Sequence, residues 1–462
     1  MDNCIPVDEI HAILERTEDA PLKDVEAVIG KGRALKGLDP EAAAILLQCT
    51  DREVVDEIYH AAQEVKESVY GKRLVLFAPL YLSNVCANSC LYCGFRRENR
   101  RMRRRVLTSD EIRQETEALI EEGHKRILLV AGEDPEQSGI DYIERAIGVV
   151  YSTKTDGGEI RRVNVNVAPL TVEGLRRLKS AGIGTYQLFQ ESYHLPTYKK
   201  MHPRGAKADY TGRLSALDRA QEAGIDDVGM GVLFGLYDYR FEVLALIYHA
   251  RHLEDEFGVG PHTISVPRIE PAPGAPLSKS PPHGVSDEDF RRLIAVLRLA
   301  VPYTGMILST REEAGFRDTL LHLGISQISA SSKTTPGGYT GGDRDDECGQ
   351  FSVGDRRTTA EVIRNVSIHG FTPSFCTACY RVGRTGEEFM DHAKPGHIHR
   401  FCVPNSLLTF KEYLLDFGDD ELCKVGDSLI RKELSSMGDR GLQRATIKKL
   451  RELEEGKRDL FF

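Results

Sequence analysis

The chain has 462 residues, 41% of them hydrophobic and 28% charged, which is enough to bury a large core in one catalytic domain with smaller flanking ones. A formal net charge of −9 argues against a general binder of nucleic acid. No apolar run approaches the roughly 18 residues of a membrane span, and the acidic N-terminus lacks the order of a signal peptide. A cytoplasmic protein is expected, with neither nucleic acid nor a membrane as partner.

Residues 1–70 read as a helical extension, with apolar residues recurring at spacings of three and four. From 71 to about 335 the pattern alternates. Apolar strands at 73–80, 126–132, 161–168, 185–192, 227–235, 262–268, 306–310 and 325–329 are separated by amphipathic helices, one of them across 210–224. Thr108 with Glu111 fits a capping box, Ser286 precedes an acidic first turn, and Gly123, Gly182 and Gly224 close helices. This is the α/β pattern of a (β/α)8 barrel of TIM type. The alternative is an open doubly wound sheet, but the glycines at 229, 231 and 235 have the wrong spacing for a dinucleotide fingerprint. A Gly-rich acidic loop follows at 333–350. Residues 336–462 form a mainly helical C-terminal region with a cysteine-bearing segment in its middle.

The chain holds ten cysteines. A reducing compartment disfavours disulfides, and clustered cysteines there point to metal or redox chemistry. Cys4, Cys49, Cys348 and Cys423 are scattered and read as structural or incidental. The other six fall in two clusters.

Cys86, Cys90 and Cys93 have the spacing C-x3-C-x2-C just past the first strand, on the face where barrel active sites form. Three thiolates can hold three irons of a [4Fe–4S] cluster and leave the fourth open. A zinc site missing one ligand is the competing reading, although no second C-x2-C pair is nearby. The cluster with its preceding aromatic, Tyr92, resembles the radical S-adenosylmethionine (SAM) superfamily. That resemblance implies SAM on the open iron, cleaved reductively to a 5′-deoxyadenosyl radical. Ala131-Gly132-Glu133, at the end of the second strand, is similar to the superfamily's GGE motif, with Ala131 a departure. Glu191, at the end of the fourth, is a further candidate for SAM binding. Ordinary loop polarity is the bland reading of both glutamates.

Cys376, Cys379 and Cys402 have the spacing C-x2-C-x22-C. An iron–sulfur site and a structural zinc are both open on composition, since His392, His397 and His399 lie in the spacer. With stretches 375–381, 383–387, 262–268 and 325–330, the two clusters together resemble the tyrosine lyases that mature [FeFe]-hydrogenases, over essentially the whole chain. The related thiamine-pathway tyrosine lyases lack the second cluster.

The resemblance implies cleavage of L-tyrosine at Cα–Cβ to p-cresol and dehydroglycine. CO and cyanide then form at an auxiliary [4Fe–4S] cluster carrying an extra iron bridged by a free cysteine. The product is an Fe(CO)2CN unit for the hydrogenase, and a maturation scaffold protein is implied as recipient. His262, at the start of the sixth strand, is placed at the barrel's closed end. A lone histidine there reads as structural, whereas the resemblance implies a ligand of the extra iron. Two sites at opposite ends would then need a tunnel, with the second cluster capping the end that carries His262.

Arg268, Arg311, Ser329 and Ser331, at or past the ends of strands six to eight, are candidates for holding the tyrosine carboxylate. Each arginine could equally serve a structural salt bridge. Seven arginines crowd 96–105. They read as a solvated loop, or as a docking patch for an acidic low-potential donor such as ferredoxin or flavodoxin. No residue is assigned a catalytic acid or base role.

Overall fold

The computed structural model describes residues 4–341 and 348–462, so part of the expected Gly-rich loop, 342–347, lies outside the described residues. Four helices open the chain: α1 (Val7–Arg16), α2 (Leu22–Arg33), α3 (Pro40–Gln48) and α4 (Arg52–Tyr70). Asp39 and Asp51 accept hydrogen bonds from the first-turn amides of α3 and α4, and Pro40 preorganises the first turn of α3. The apolar stripe of α4 packs on the barrel helix Asp287–Ala300.

Eight parallel strands follow: β1 (Arg73–Ser83), β2 (Arg126–Ala131), β3 (Arg162–Asn166), β4 (Tyr186–Gln187), β5 (Val228–Gly231), β6 (Thr263–Ser265), β7 (Gly305–Leu308) and β8 (Gln327–Ser329). β8 pairs with β1 in the register Val75↔Gln327, Leu76↔Ile328, Phe77↔Ser329. That pairing closes the sheet and removes the open doubly wound alternative. The Thr108–Glu111 capping box is present, and Ser286 Oγ accepts from the amide of Asp289. Gly123, Gly182 and Gly224 end their helices with φ of 89°, 84° and 81°. The helix expected across 210–224 is broken at Ser215 into Tyr210–Leu214 and Ala216–Glu222.

A ninth strand, β9 (Thr372–Ser374), lies outside the expected set. β1 has 11 residues, and β2 pairs with it only from Ala78 onward. The edge of β1 from Arg73 to Val75 is thus open on that side, and β9 fills it in parallel. This pairing brings Cys376 beneath the barrel. The helices that follow, including His399–Phe417, pack against β9 and α4. One buried apolar core runs from Ile5 to Leu453. Among the described residues no helix is long and apolar enough to cross a membrane.

Candidate active site

The C-terminal ends of the strands surround a cavity of about 180 Å3, lined by Cys86, Cys90, Cys93, Tyr92, Gly132, Glu133, Glu191, Arg311 and Ser329 among others. The cysteine loop is held by its own backbone and by Arg104. Asn84 donates to Arg103 O (3.0 Å), and its carbonyl oxygen accepts from Arg104 Nη1 (2.6 Å). The same guanidinium donates to Phe95 O (2.7 Å) and Arg96 O (2.6 Å). Tyr92 Oη is hydrogen-bonded to His202 Nε2 at 2.8 Å. Gly132 lets the second strand end touch this loop: a β-carbon there would lie 2.2 Å from Val85 O. Its N–H donates to Ser83 O (2.8 Å) and its carbonyl accepts from Ser138 Oγ (2.7 Å). Gly132 therefore serves by close approach, with its own backbone groups already paired.

Burial pushes all three thiols up, Cys93 to about 11, and Lys207 pulls each partly back. Without a metal such thiols stay protonated. A multiply charged iron centre would displace their protons, so the donor set fits an iron–sulfur group.

The cavity also holds a buried charge quartet. Glu133 accepts from Arg213 Nη1 (2.9 Å) and Asn88 Nδ2 (2.7 Å), and Glu191 accepts from Lys207 Nζ (2.6 Å). Burial alone would raise the Glu133 carboxyl, but the Arg213 and Lys207 cations outweigh it and hold it below the usual range. Glu191 adopts a left-handed φ of 69°, a conformation that costs energy in a non-glycine residue. Beneath it, Glu242 accepts from Ser192 Oγ (2.5 Å) and from the amide of Tyr193 (2.8 Å), fixing that turn.

A second cavity of about 40 Å3 lies at the opposite end, lined by Cys376, Cys379, Cys402, His262, Arg73 and Arg126 among others. Burial pushes Cys379 up to about 12 and raises Cys402. His262 Nδ1 stands 3.5 Å from Asp227 Oδ1 and has no hydrogen-bond partner among the described residues. Burial lowers its pKa, which favours the neutral, metal-ligating form. A trio of thiols beside an unsatisfied imidazole fits an iron-containing group. His392, His397 and His399, the donors of the zinc alternative, do not line this cavity. Among the described residues no three His, Cys, Asp or Glu side chains close on a single-ion site. The thiols of each trio instead border a cavity.

The sequence matches the radical SAM superfamily over residues 80–246 and the biotin and thiamin synthesis associated domain over 265–372. It is 33% identical to the 2-iminoacetate synthase of Salmonella typhimurium over 71% of this chain and 84% of that protein. The Escherichia coli 2-iminoacetate synthase is 34% identical over 73% and 84%. A crystal structure of HydG, a maturase of the [FeFe]-hydrogenase, superposes with a TM-score of 0.96 at 52% identity, covering 100% of both chains. HydG from Carboxydothermus hydrogenoformans superposes with a TM-score of 0.83 at 41% identity, covering 97% of this chain and 99% of that one. The chain belongs to the HydG family of radical SAM enzymes.

An iron–sulfur cluster and SAM are thus cofactors of this HydG-family barrel. Not every expected contact faces its cavity. Arg268 points away: it pairs with the buried Glu312 and with Asp287 (2.8 Å), and its guanidinium lies over the rings of Phe290 and Phe316. Ser331 does not line the cavity either; at φ 50° it turns the chain so that Ser332 does. Arg311 and Ser329 do line it, and Arg311 sits 3.3 Å over the ring of Phe351. The arginine run divides. Arg104 is a clamp, and Arg105 pairs with Glu111 (2.6 Å), whereas Arg97, Arg100, Arg101 and Arg103 are exposed. Asn88, Lys207, Arg213 and Glu270 line the cavity and carried no recognisable motif. Glu270 is pushed up to about 7 by burial and by Glu312.

Proposed function

We propose that this HydG-family enzyme cleaves L-tyrosine at Cα–Cβ to p-cresol and dehydroglycine, then converts the latter to CO and cyanide for an Fe(CO)2CN unit of the [FeFe]-hydrogenase. The observation that carries this reading is one closed barrel with a thiol trio bordering a cavity at each end. Cys86, Cys90 and Cys93 would hold three irons of a [4Fe–4S] cluster, which when bound with SAM supplies the electron that releases a 5′-deoxyadenosyl radical. Glu133, kept ionised by Arg213 and Lys207, suits the ammonium of SAM's methionine moiety. Glu191 and Tyr92 border the same space. The enclosed barrel keeps water from the radical.

Arg311 is the candidate for the tyrosine carboxylate. Burial lowers its pKa, and no carboxylate is ion-paired with it among the described residues. A buried cation without an ion-pair partner is costly unless a ligand supplies the anion. Arg311→Gln is expected to raise the KM for tyrosine about tenfold or more, through loss of a charge-assisted hydrogen bond of roughly 1.5–3 kcal/mol. Arg268→Gln is expected to leave that KM unchanged and to lower stability by about 3–5 kcal/mol, because it strands Glu312. Tyrosine saturation curves and thermal unfolding separate the two. Equal KM values for both variants would remove Arg311 from the site.

At the other end, Cys376, Cys379 and Cys402 suit an auxiliary cluster, with His262 on an extra iron and a free cysteine as bridge. The exposed Arg97, Arg100, Arg101 and Arg103 suit an acidic donor such as ferredoxin or flavodoxin. A scaffold protein would receive the product. The second reading, a lyase that makes only the cleavage products, draws on the likeness to the 2-iminoacetate synthases.

The deciding experiment incubates anoxically reconstituted protein with tyrosine, SAM and dithionite. Release of p-cresol, CO and cyanide is expected. The Cys376→Ala variant should keep p-cresol and lose CO and cyanide. Absence of p-cresol from the wild type sinks the lyase assignment. Unchanged CO in the variant sinks the role of the C-terminal trio.

A further inference from the structure

Most deeply buried arginines here have an obvious partner. Arg213 pairs with Glu133, Arg317 with Asp355 and Arg161 with Glu412. Arg298 is satisfied by the carbonyl oxygens of Pro302, Thr304 and Gly324. The floor of the barrel breaks the pattern. Arg73, Arg126 and Arg384 converge on the C-terminal thiols, and among the described residues none of them has an ion pair. Arg384 Nη1 lies 3.7 Å from Cys379 Sγ, Arg126 Nη1 donates to Cys376 O at 2.9 Å, and Arg73 lines the same cavity as Cys402. Arg126 and Arg384 are each 6% exposed, and the Nε atoms of Arg73 and Arg126 have no acceptor among the described residues. The neighbouring carboxylate is Asp227, drawn to His262.

Three guanidinium groups beside one carboxylate leave the floor strongly positive while it is empty. Burying such charge is costly unless an anion fills the site. A [4Fe–4S]2+ core bound by three thiolates is an anion, and each added electron makes it more negative. Cations at hydrogen-bonding distance from the ligating sulfurs favour the reduced state.

We propose that Arg73, Arg126 and Arg384 are charge-compensating positioning residues that hold the negative charge of an iron–sulfur group at the barrel floor and set its reduction potential. This rests on the auxiliary-cluster reading above. At the roof, two of the cations that act on the thiols are already engaged, Lys207 with Glu191 and Arg104 with the carbonyl oxygens of Asn84, Phe95 and Arg96.

The test is a redox titration of the full-length, anoxically reconstituted protein followed by electron paramagnetic resonance. Added SAM marks the roof signal, because SAM perturbs that cluster alone. Arg73→Gln and Arg384→Gln should shift the floor midpoint to more negative potential, with the roof midpoint and the iron and sulfide content unchanged. Arg73→Lys and Arg384→Lys should restore the wild-type value. An unshifted floor midpoint at full iron content overturns the proposal. If the glutamine variants lose the floor cluster, retention by the lysine variants supports compensation by charge, and equal loss overturns it. A wild type with only the roof signal refutes the auxiliary cluster itself, a distinct result that leaves tyrosine cleavage standing.

Discussion

Arg213→Met is expected to abolish most SAM cleavage at neutral pH and to regain part of it as the pH rises. Arg213 is almost fully buried, donates to Glu133 at 2.9 Å and to Phe189 O at 2.7 Å, and lies 4.0 Å from Glu191. Two buried carboxylates, Glu133 and Glu191, share this guanidinium and Lys207. With methionine in its place both must share the lysine. Breaking a buried pair by removing one partner costs about 3–5 kcal/mol.

The sign of the pH effect follows from the forces on Glu133. In the wild type its carboxyl is held below the usual value, so the stability it contributes is present above the unfolded pKa and is lost only as pH falls through the lowered folded value. Without Arg213, burial dominates and pushes the carboxyl up. The neutral form then cannot hold the SAM ammonium, and ionisation returns only as pH rises. Stability moves the other way, because the variant loses stability as its raised carboxyl is forced to ionise. The 5′-deoxyadenosine yield should be flat through neutral pH for the wild type and climb with pH for the variant, with a falling melting temperature over the same window. Superimposable pH profiles would falsify the assignment of Glu133 to the ammonium.

Gly229→Val is expected to separate the two halves of the reaction. On three strands, inward positions two residues apart line different cavities: Val75 and Phe77, Arg126 and Leu128, Gln327 and Ser329. The roof and floor sites are thus one side-chain layer apart. The register places Gln187, Gly229, Thr263 and Gly305 in a ring at that level. Two of the four are glycines, which keep the ring open. A β-carbon at Gly229 would lie 2.6 Å from Gln187 Cγ and from Thr263 Oγ1. Valine must therefore push the flexible Gln187 side chain into the bore, at an overpacking cost of about 1–3 kcal/mol that a large core tolerates.

Gln187 lies at the base of the roof cavity, away from the cysteine loop, Glu133 and Arg311, which are unaltered, so p-cresol should form at close to the wild-type rate. Dehydroglycine, unable to pass, should hydrolyse to glyoxylate, while CO and cyanide fall severalfold. Headspace CO and p-cresol measured on one sample decide the matter. A constant CO to p-cresol ratio would mean that the intermediate travels by another route.

Much of this was readable from local pattern. The eight barrel strands follow from apolar runs alternating with capped helices, and the start of β6 was enough to put His262 at the floor. The ninth strand was not readable. Thr372-Pro373-Ser374 has no apolar alternation and carries a proline, and it is a strand only because β1 begins well before its neighbour. Arg268 and Arg311 look alike as arginines at strand ends. Glu312 and Asp287 draw the first outward, and nothing near them in sequence announces this. Lys207 and Arg213 come from the segment after β4 and carry no motif.

By itself the sequence determined two cysteine trios, their spacing and the barrel between them, because cysteine spacing and hydrophobic period are properties of neighbouring residues. Only the tertiary structure decided which charges face which trio: Lys207 and Arg213 at the roof, Arg73, Arg126 and Arg384 at the floor. Charge pairing joins residues far apart in the chain, and its energy depends on burial and distance that exist only after folding.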